Sequence, residues 1–318
     1  MIGMNLRIKI LLSLLVFAAC KNEKATDTIQ QISHDVPEKV DYLITIEEFK
    51  IIANRPNSKV LDFREKEAYE QGHIKNALHI WRTDIENNSY PYKGMMASKD
   101  QIETVFSALG ISTNDTLIIY DDNGLCNASR LWWVLQNYDF TNVKLLHGGF
   151  EVWKATNGLV TIERPIIKKA VFQLAEKPSM KYYVSKEELQ DALNKNLVIL
   201  DTRTHDEFSG KRQKKEATKA GRIKNSVWID WADAISYNGD KKIKPVEELE
   251  SIYSKLNITK NDPLIVYCHS GMRSAHTTFV LTQLLDYKQV KNYDGSWIEW
   301  SYFNDLPFKK DSLTQIIN

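Results

Sequence analysis

The sequence predicts an α/β protein made of two tandem copies of one domain, each a parallel β-sheet with helices on both faces. Three observations predict it. Residues 98–120, SKDQIETVFSALGISTNDTLIIY, match residues 245–267, PVEELESIYSKLNITKNDPLIVY, without a gap. Strand-like and helix-like segments alternate through both copies, the pattern of βαβ units around a covered parallel sheet. A chain of 318 residues is long enough for two domains with a core each.

At the start, Arg7 and Lys9 precede an apolar run from Ile10 to Ala19 that ends at Cys20. A charged stretch, a short apolar stretch and small residues make residues 1–19 a signal peptide. The run falls short of the about 20 apolar residues that span a bilayer. Small residues followed directly by cysteine resemble the bacterial lipobox, so Cys20 is the expected lipidation site. Phe17 stands where that motif usually has Leu, and a plain signal peptide with an unrelated cysteine is the alternative. The expected location is the outer side of a bacterial membrane or the cell surface, with residues 20–41 as lipidated cysteine and polar tether.

The first domain is placed at 42–164, a linker with Pro165 and Pro178 at 165–180, the second domain at 181–308, and a C-terminal tail at 309–318. Further pairs support the duplication. LDFR (61–64) matches LDTR (200–203), and GHIKNA (72–77) matches GRIKNS (221–226), with ten extra residues between these elements in the second copy. His147-Gly148-Gly149-Phe150 lies over Asp294-Gly295-Ser296-Trp297. In the long match each copy reads as an amphipathic helix, a turn at Asn114-Asp115 or Asn261-Asp262, and a buried strand.

Composition excludes several classes. With 43% apolar and 26% charged residues and a net charge of +1, nothing calls for nucleic acid. Three cysteines, Cys20, Cys126 and Cys268, cannot form a disulfide framework once Cys20 carries lipid. No His/Cys pair stands at metal spacing and no phosphate-binding glycine loop occurs, so neither metal nor cofactor is expected.

The candidate nucleophile is Cys268. Leu264–Tyr267 reads as a buried strand, running through Cys268-His269-Ser270-Gly271-Met272-Arg273-Ser274 into a helical segment from Ala275 to Leu285. That order puts Cys268 at the carboxyl edge of a parallel sheet, where open α/β folds place their sites. Gly271 lets the loop curl so that successive N–H groups, with the helix N-terminus, form an anion nest. A thiol held there is favoured as thiolate. Arg273 adds a permanent charge and His269 a conditional one. The gap-free match sets Asp121 over Cys268 and Cys126 over Arg273, so the first copy has the loop's shape without a nucleophile.

CHSGMRS resembles the Cys-x-x-Gly-x-Arg loop of the rhodanese sulfurtransferases. YDGSWIEW is similar to the C-terminal element of their two-domain members, and GHIKNA to their GHIPGA segment. The resemblance covers nearly all of 42–308. It departs at Lys75-Asn76 and Lys224-Asn225, which replace Pro-Gly in a turn. It implies two rhodanese-like domains, the first catalytically silent and walling the cleft of the second. The implied chemistry is attack by the Cys268 thiolate on a small anionic sulfur donor, then passage of the persulfide sulfur to a thiol or cyanide, in ping-pong order. The remaining loop residues, His269 to Arg273, are expected to bind the anion. Arg203 would help in the family; the first copy keeps Asp62 and Arg64 without a nucleophile, so a structural ion pair stands equally open. Thiosulfate is the expected donor over 3-mercaptopyruvate, with Arg273 gripping two sulfonate oxygens and a protonated His269 helping below about pH 6.5. A monomer is expected.

Other features have plainer readings. The basic stretch from Lys211 to Lys219 is a solvated loop or an edge of the cleft. Cys126 is a small apolar residue of a first helical turn, or a thiol facing the cleft. His73, His79 and His147 are packing or surface residues, and Trp132, Trp133, Trp297 and Trp300 fill helix–sheet interfaces. Two rival functions remain: a phosphatase, whose similar loop has one residue more, and a non-catalytic sulfur-binding or redox module at the membrane.

Overall fold

A computed structural model describes residues 41–313 and 315–316. Cys20, the signal segment and the tether up to residue 40 lie outside the described residues. The first half has five parallel strands in the order Leu43–Ile44, Val143–Leu146, Thr116–Tyr120, Ser58–Asp62 and Leu78–His79. The second half repeats that order with Tyr183–Val184, Val290–Tyr293, Leu264–Tyr267, Val198–Asp201 and Val227–Trp228, again parallel.

The central strand of each sheet is an apolar run because helices cover both faces, leaving no polar side to alternate. Leu117–Tyr120 and Leu264–Tyr267 are buried throughout. Helix starts are set by side chains that cap the first free N–H groups. Ser98 and Gln101 form a reciprocal capping box before Lys99–Ala108, and Thr204 and Glu207 form another before His205–Ser209. Where the repeats carry Asn instead of the glycine of a tight turn, Asn76 and Asn225 take left-handed φ values of 66° and 64°. Asparagine tolerates that region better than branched residues do.

One core cluster runs through both halves, and each half keeps a second cluster of its own. The helix Cys126–Asn137 has all its residues but Asn127 buried, and it lies against Met272–Phe279 of the other half. It is buried all round although not apolar all round: Arg130, Gln136 and Asn137 are buried with polar partners. Trp132 meets Phe279 edge to face at 5.0 Å across this seam, a geometry worth about 0.5–1.5 kcal/mol beyond area burial.

Two segments differ from expectation. The linker is packed rather than spanning: Phe172 sits between Phe106 and Phe140, at 4.8 and 5.1 Å, and Leu174 N–H donates to Glu103 Oε1 at 2.8 Å. Residues after 308 are not a loose tail. Phe308–Lys309 pairs with Arg222–Ile223, Gln315–Ile316 pairs with Arg212–Gln213, and Asp311 holds Arg222 at 2.6 Å. The first of these pairings repeats that of His73–Ile74 with Val160–Thr161 in the first half, and only the second uses the edge offered by the ten-residue insertion.

The halves also exchange covers. Residues 86–96, closed by a bridge between Glu86 and Met96, lie on the second-half loop, where a Cβ on Gly94 would come within 2.8 Å of Ser270 Cβ. Residues 235–243, closed by Ile235 and Ile243, lie in the same way on the first-half loop at Gly124. Among the described residues, no helix is long and apolar enough to cross a membrane, and no cluster of His, Cys, Asp and Glu is arranged for a metal.

Candidate active site

The two matched loops are one device in two states. In the first half, the Asp121 carboxylate fills the nest. Its Oδ1 accepts N–H bonds from Asn123 and Leu125 at 3.0 and 2.9 Å, and its Oδ2 from Asn127 and Ala128 at 2.8 and 3.0 Å. Burial pushes Asp121 up to about 6 against the pull of these donors, so it is ionised at neutral pH. An anion built into the chain thus occupies the place where a donor's anion would bind.

In the second half the same place holds the Cys268 sulfur. Burial alone would raise the thiol. The Arg273 charge, the Ser274 hydroxyl and the N–H groups of Ser274 and Ser270 outweigh burial and lower the Cys268 pKa from its ordinary value. Ser270 and Ser274 are the counterparts of Asn123 and Asn127 in the match. Gly271 takes φ +79° at the turn into Met272–Phe279, and Met272 itself is buried in the shared core.

The loop is held from beneath by Ser296. Its Oγ accepts the N–H groups of Cys268 and Gly271, both at 3.1 Å, and donates to the Tyr293 carbonyl at 2.8 Å. Trp297 and Ile298 N–H groups donate to the Cys268 and His269 carbonyls, each at 3.0 Å. Ser296 sits at φ 52°, the conformation of Gly149 in the other half, where a Cβ would strike the Asp121 carbonyl. A non-glycine residue there costs about 1–2 kcal/mol, and the hydroxyl's hydrogen bonds offset it.

Three of the candidate anion binders have other partners in the structure. Arg203 is engaged by Asp201, Nε to Oδ1 at 2.9 Å and Nη2 to Oδ2 at 2.5 Å, and by the Gly221 carbonyl at 2.8 Å. Arg64 makes the same bonds to Asp62 and Gly72 in the silent half, so the structural ion pair is what both copies hold. Arg273 donates with both terminal nitrogens to Glu207, at 2.7 and 2.9 Å, and its fork is not open to two sulfonate oxygens. Burial would raise the Glu207 carboxyl, but Arg273 overrides it and holds the group far below the usual carboxylate range. Burial first, and the Lys214 charge next, push His269 down to about 3, with Glu207 pulling the other way. His269 is therefore neutral at physiological pH, its Nε2 facing the Lys215 carbonyl at 3.2 Å.

The ten-residue insertion edges the site. Lys215 holds His269, and the half-buried Lys214 lies within electrostatic reach of Cys268, Arg273 and Glu207, its pKa lowered by burial and by Arg273. Cys126 is buried, and burial, with Asp121 and Cys268 adding, raises its thiol above the ordinary range. A thiol so placed is protonated and inert at neutral pH.

Comparison with known proteins settles the family. The sequence pattern of the rhodanese-like domain matches residues 45–156 and again 185–302. A protein from Saccharopolyspora erythraea, provisionally named thiosulfate sulfurtransferase, is 34% identical over 76% of this chain and 86% of its own. The chain belongs to the rhodanese family. A thiosulfate sulfurtransferase of Corynebacterium glutamicum is 29% identical over 82% of this rhodanese and 87% of its own length. Among solved structures, SseA of Escherichia coli, described as a 3-mercaptopyruvate sulfotransferase, superposes with a TM-score of 0.71 at 22% identity, covering 81% of this chain and 99% of that one. An anaerobic ergothioneine biosynthesis enzyme of Chlorobium limicola gives 0.73 at 20% identity, over 87% and 72%. Both likenesses are of fold.

Several residues of this rhodanese site were not legible beforehand. Glu207 hides in a capping box, 66 residues from Arg273. Ser296 had one available signal, its match to Gly149 inside a repeated turn. The buried pair Arg130–Asp294, at 2.6 Å, had none; it ties the first-half helix to YDGSWIEW, with Arg130 donating to Gly94 O and Asp294 accepting from Met96 N–H, both at 2.8 Å.

Proposed function

We propose that this rhodanese is a sulfurtransferase that takes sulfane sulfur from thiosulfate, carries it as a Cys268 persulfide and passes it to a thiol or cyanide. The observation that carries the reading is the pair of loops: one nest stabilises a carboxylate, and its copy lowers the Cys268 thiol with N–H groups at two of the same four positions, Ser270 and Ser274. The Cys268 thiolate attacks the outer sulfur of the donor, sulfite leaves with the electron pair of the broken bond, and the N–H groups of Ser270 and Ser274 face the anionic persulfide. The silent half supports the active one by covering its loop with residues 86–96.

A dianion is the donor this site favours, since Arg273, Lys214 and Arg82 give the mouth a positive field. Thiosulfate is expected to exceed 3-mercaptopyruvate in kcat/KM, and the reverse order would replace the donor while leaving the persulfide chemistry in place. The loop's Cys-to-Arg spacing, five positions, favours sulfur over phosphate, and no turnover of aryl phosphate is expected. The same proposal places the enzyme on a membrane through lipid at Cys20, with the two domains acting as one monomeric unit.

A further inference from the structure

We propose that Arg82, a residue of the catalytically silent half, is the side chain that binds the anionic end of the sulfur donor; this rests on the reading of thiosulfate as donor. The positive groups nearest the loop within the active half are already committed. Arg203 is held by Asp201 and Gly221, Arg273 by both oxygens of Glu207, and His269 is uncharged. Lys214 contributes field, but its ammonium makes no bond to the loop. Arg82 does touch the loop, from across the domain seam.

Its Nη2 lies 3.4 Å from Ser270 Oγ, a long bond. Its side chain is 36% exposed, so the guanidinium stands at the mouth rather than in the core. Glu86 forms a loose ion pair with it, 3.7 Å from Nε and longer than a hydrogen bond; Nε is itself buried, so the terminal nitrogens are what an anion would meet. A part-exposed guanidinium that touches the loop residue two positions after the nucleophile is suited to a tetrahedral oxyanion. The close approach of Gly94 to Ser270 fixes the strap that carries Arg82's neighbourhood against the loop. In the second half the matching position is Trp231, which is buried and meets His276 edge to face at 5.3 Å. At this matched position only the segment leading into the cover over the cysteine carries an arginine; the other cover reaches its own loop with Lys241, whose Nζ donates to the Asp122 carbonyl at 3.2 Å.

The step is balanced without any further reactant. The Cys268 thiolate forms a bond to the outer sulfur of thiosulfate, the sulfur–sulfur bond of thiosulfate breaks, and sulfite departs with the electron pair, leaving a persulfide anion. Arg82 holds the sulfonate oxygens before and during that cleavage and takes no part in the acceptor step.

The test compares the full-length protein with Arg82→Gln and Arg82→Lys in single-turnover loading from thiosulfate, followed by sulfite release. Iodoacetamide alkylation of Cys268 against pH serves as a readout of thiolate and loop integrity. Arg82→Gln is expected to raise half-saturating thiosulfate roughly ten- to a hundred-fold while leaving the maximal loading rate and the iodoacetamide profile in place; Arg82→Lys recovers part of the loss. Unchanged half-saturation overturns the proposal. So does a shifted iodoacetamide profile with unchanged half-saturation, which would make Arg82 a support for Ser270. A wild type that fails to load refutes the donor reading instead. Arg82 is then judged by the ratio of iodoacetate to iodoacetamide reactivity at Cys268, which falls in Arg82→Gln if the guanidinium binds anions and stays level if it does not.

Discussion

The largest downward pull on the Cys268 thiol, ahead of its hydrogen bonds, is one charge, and that charge is itself shared. Arg273 lowers the thiol while being held by Glu207, so altering either partner moves the cysteine in a known direction. Arg273→Ala removes the stabilising charge; the midpoint of Cys268 alkylation moves to higher pH, and thiosulfate turnover falls roughly ten- to a hundred-fold. Glu207→Gln leaves Arg273 unopposed, so the midpoint moves lower, while a buried charge without its partner costs about 3–5 kcal/mol of stability. Alkylation kinetics and chemical unfolding on both variants check this, and shifts in the same direction would break the account. The Glu207 carboxyl is depressed by folding, so its stabilisation is present above its unfolded pKa of about 4.3 and is lost as pH falls through the lower folded value. His269 enters differently from the sequence reading. With its imidazole near 3, loading should show no falling limb near pH 6.5; it should rise with Cys268 ionisation and then level. A limb that His269→Ala abolishes would show that the ring titrates after all.

At the scale of elements, the turn at Ser296 does for the active loop what glycine does for the silent one. Both Ser296→Ala and Ser296→Gly leave the N–H groups of Cys268 and Gly271 without their acceptor, at about 1–3 kcal/mol for each buried group. Glycine also relieves the left-handed backbone, so the alanine variant should be the less stable by about 1 kcal/mol. Thermal midpoints decide it, and an alanine variant equal to the glycine one would mean that the backbone is not strained there. Much at this scale was legible in the sequence. The repeat spanning 98–120 and 245–267 carried both central strands and the helices before them, because capping residues and apolar runs act locally. The nest was legible through the alignment of Asp121 with Cys268. Arg273's partner was not: a capping glutamate looks sufficient in its own turn, and only the fold brings it to a guanidinium 66 residues away. Arg203 was ambiguous because an Asp-x-Arg unit serves an ion pair and an anion site equally well until the acceptors of its nitrogens are seen.

At the scale of the molecule, two halves with one shared core explain why a silent copy persists. Arg130 reaches from the first half to Asp294, and a Cβ on Gly271 would come within 2.7 Å of its Nη1, so the active loop is built against both halves. Contacts of this kind join residues more than a hundred positions apart and leave no local pattern to read, which is why the duplication was visible and its seam was not. The anchor proposed at Cys20 belongs to this scale as well. On that proposal Cys20→Ser should leave sulfur transfer intact and release the protein from the membrane fraction; a variant that still sediments with membranes would remove the lipoprotein reading. The central claim, that sulfur is carried on Cys268 of the second half, is met most directly by mass spectrometry of the protein after thiosulfate treatment without an acceptor. The account predicts one added sulfur on the peptide containing Cys268, absent in Cys268→Ser and discharged by cyanide. Added sulfur on Cys126, or turnover with Cys268 unmodified, would contradict it.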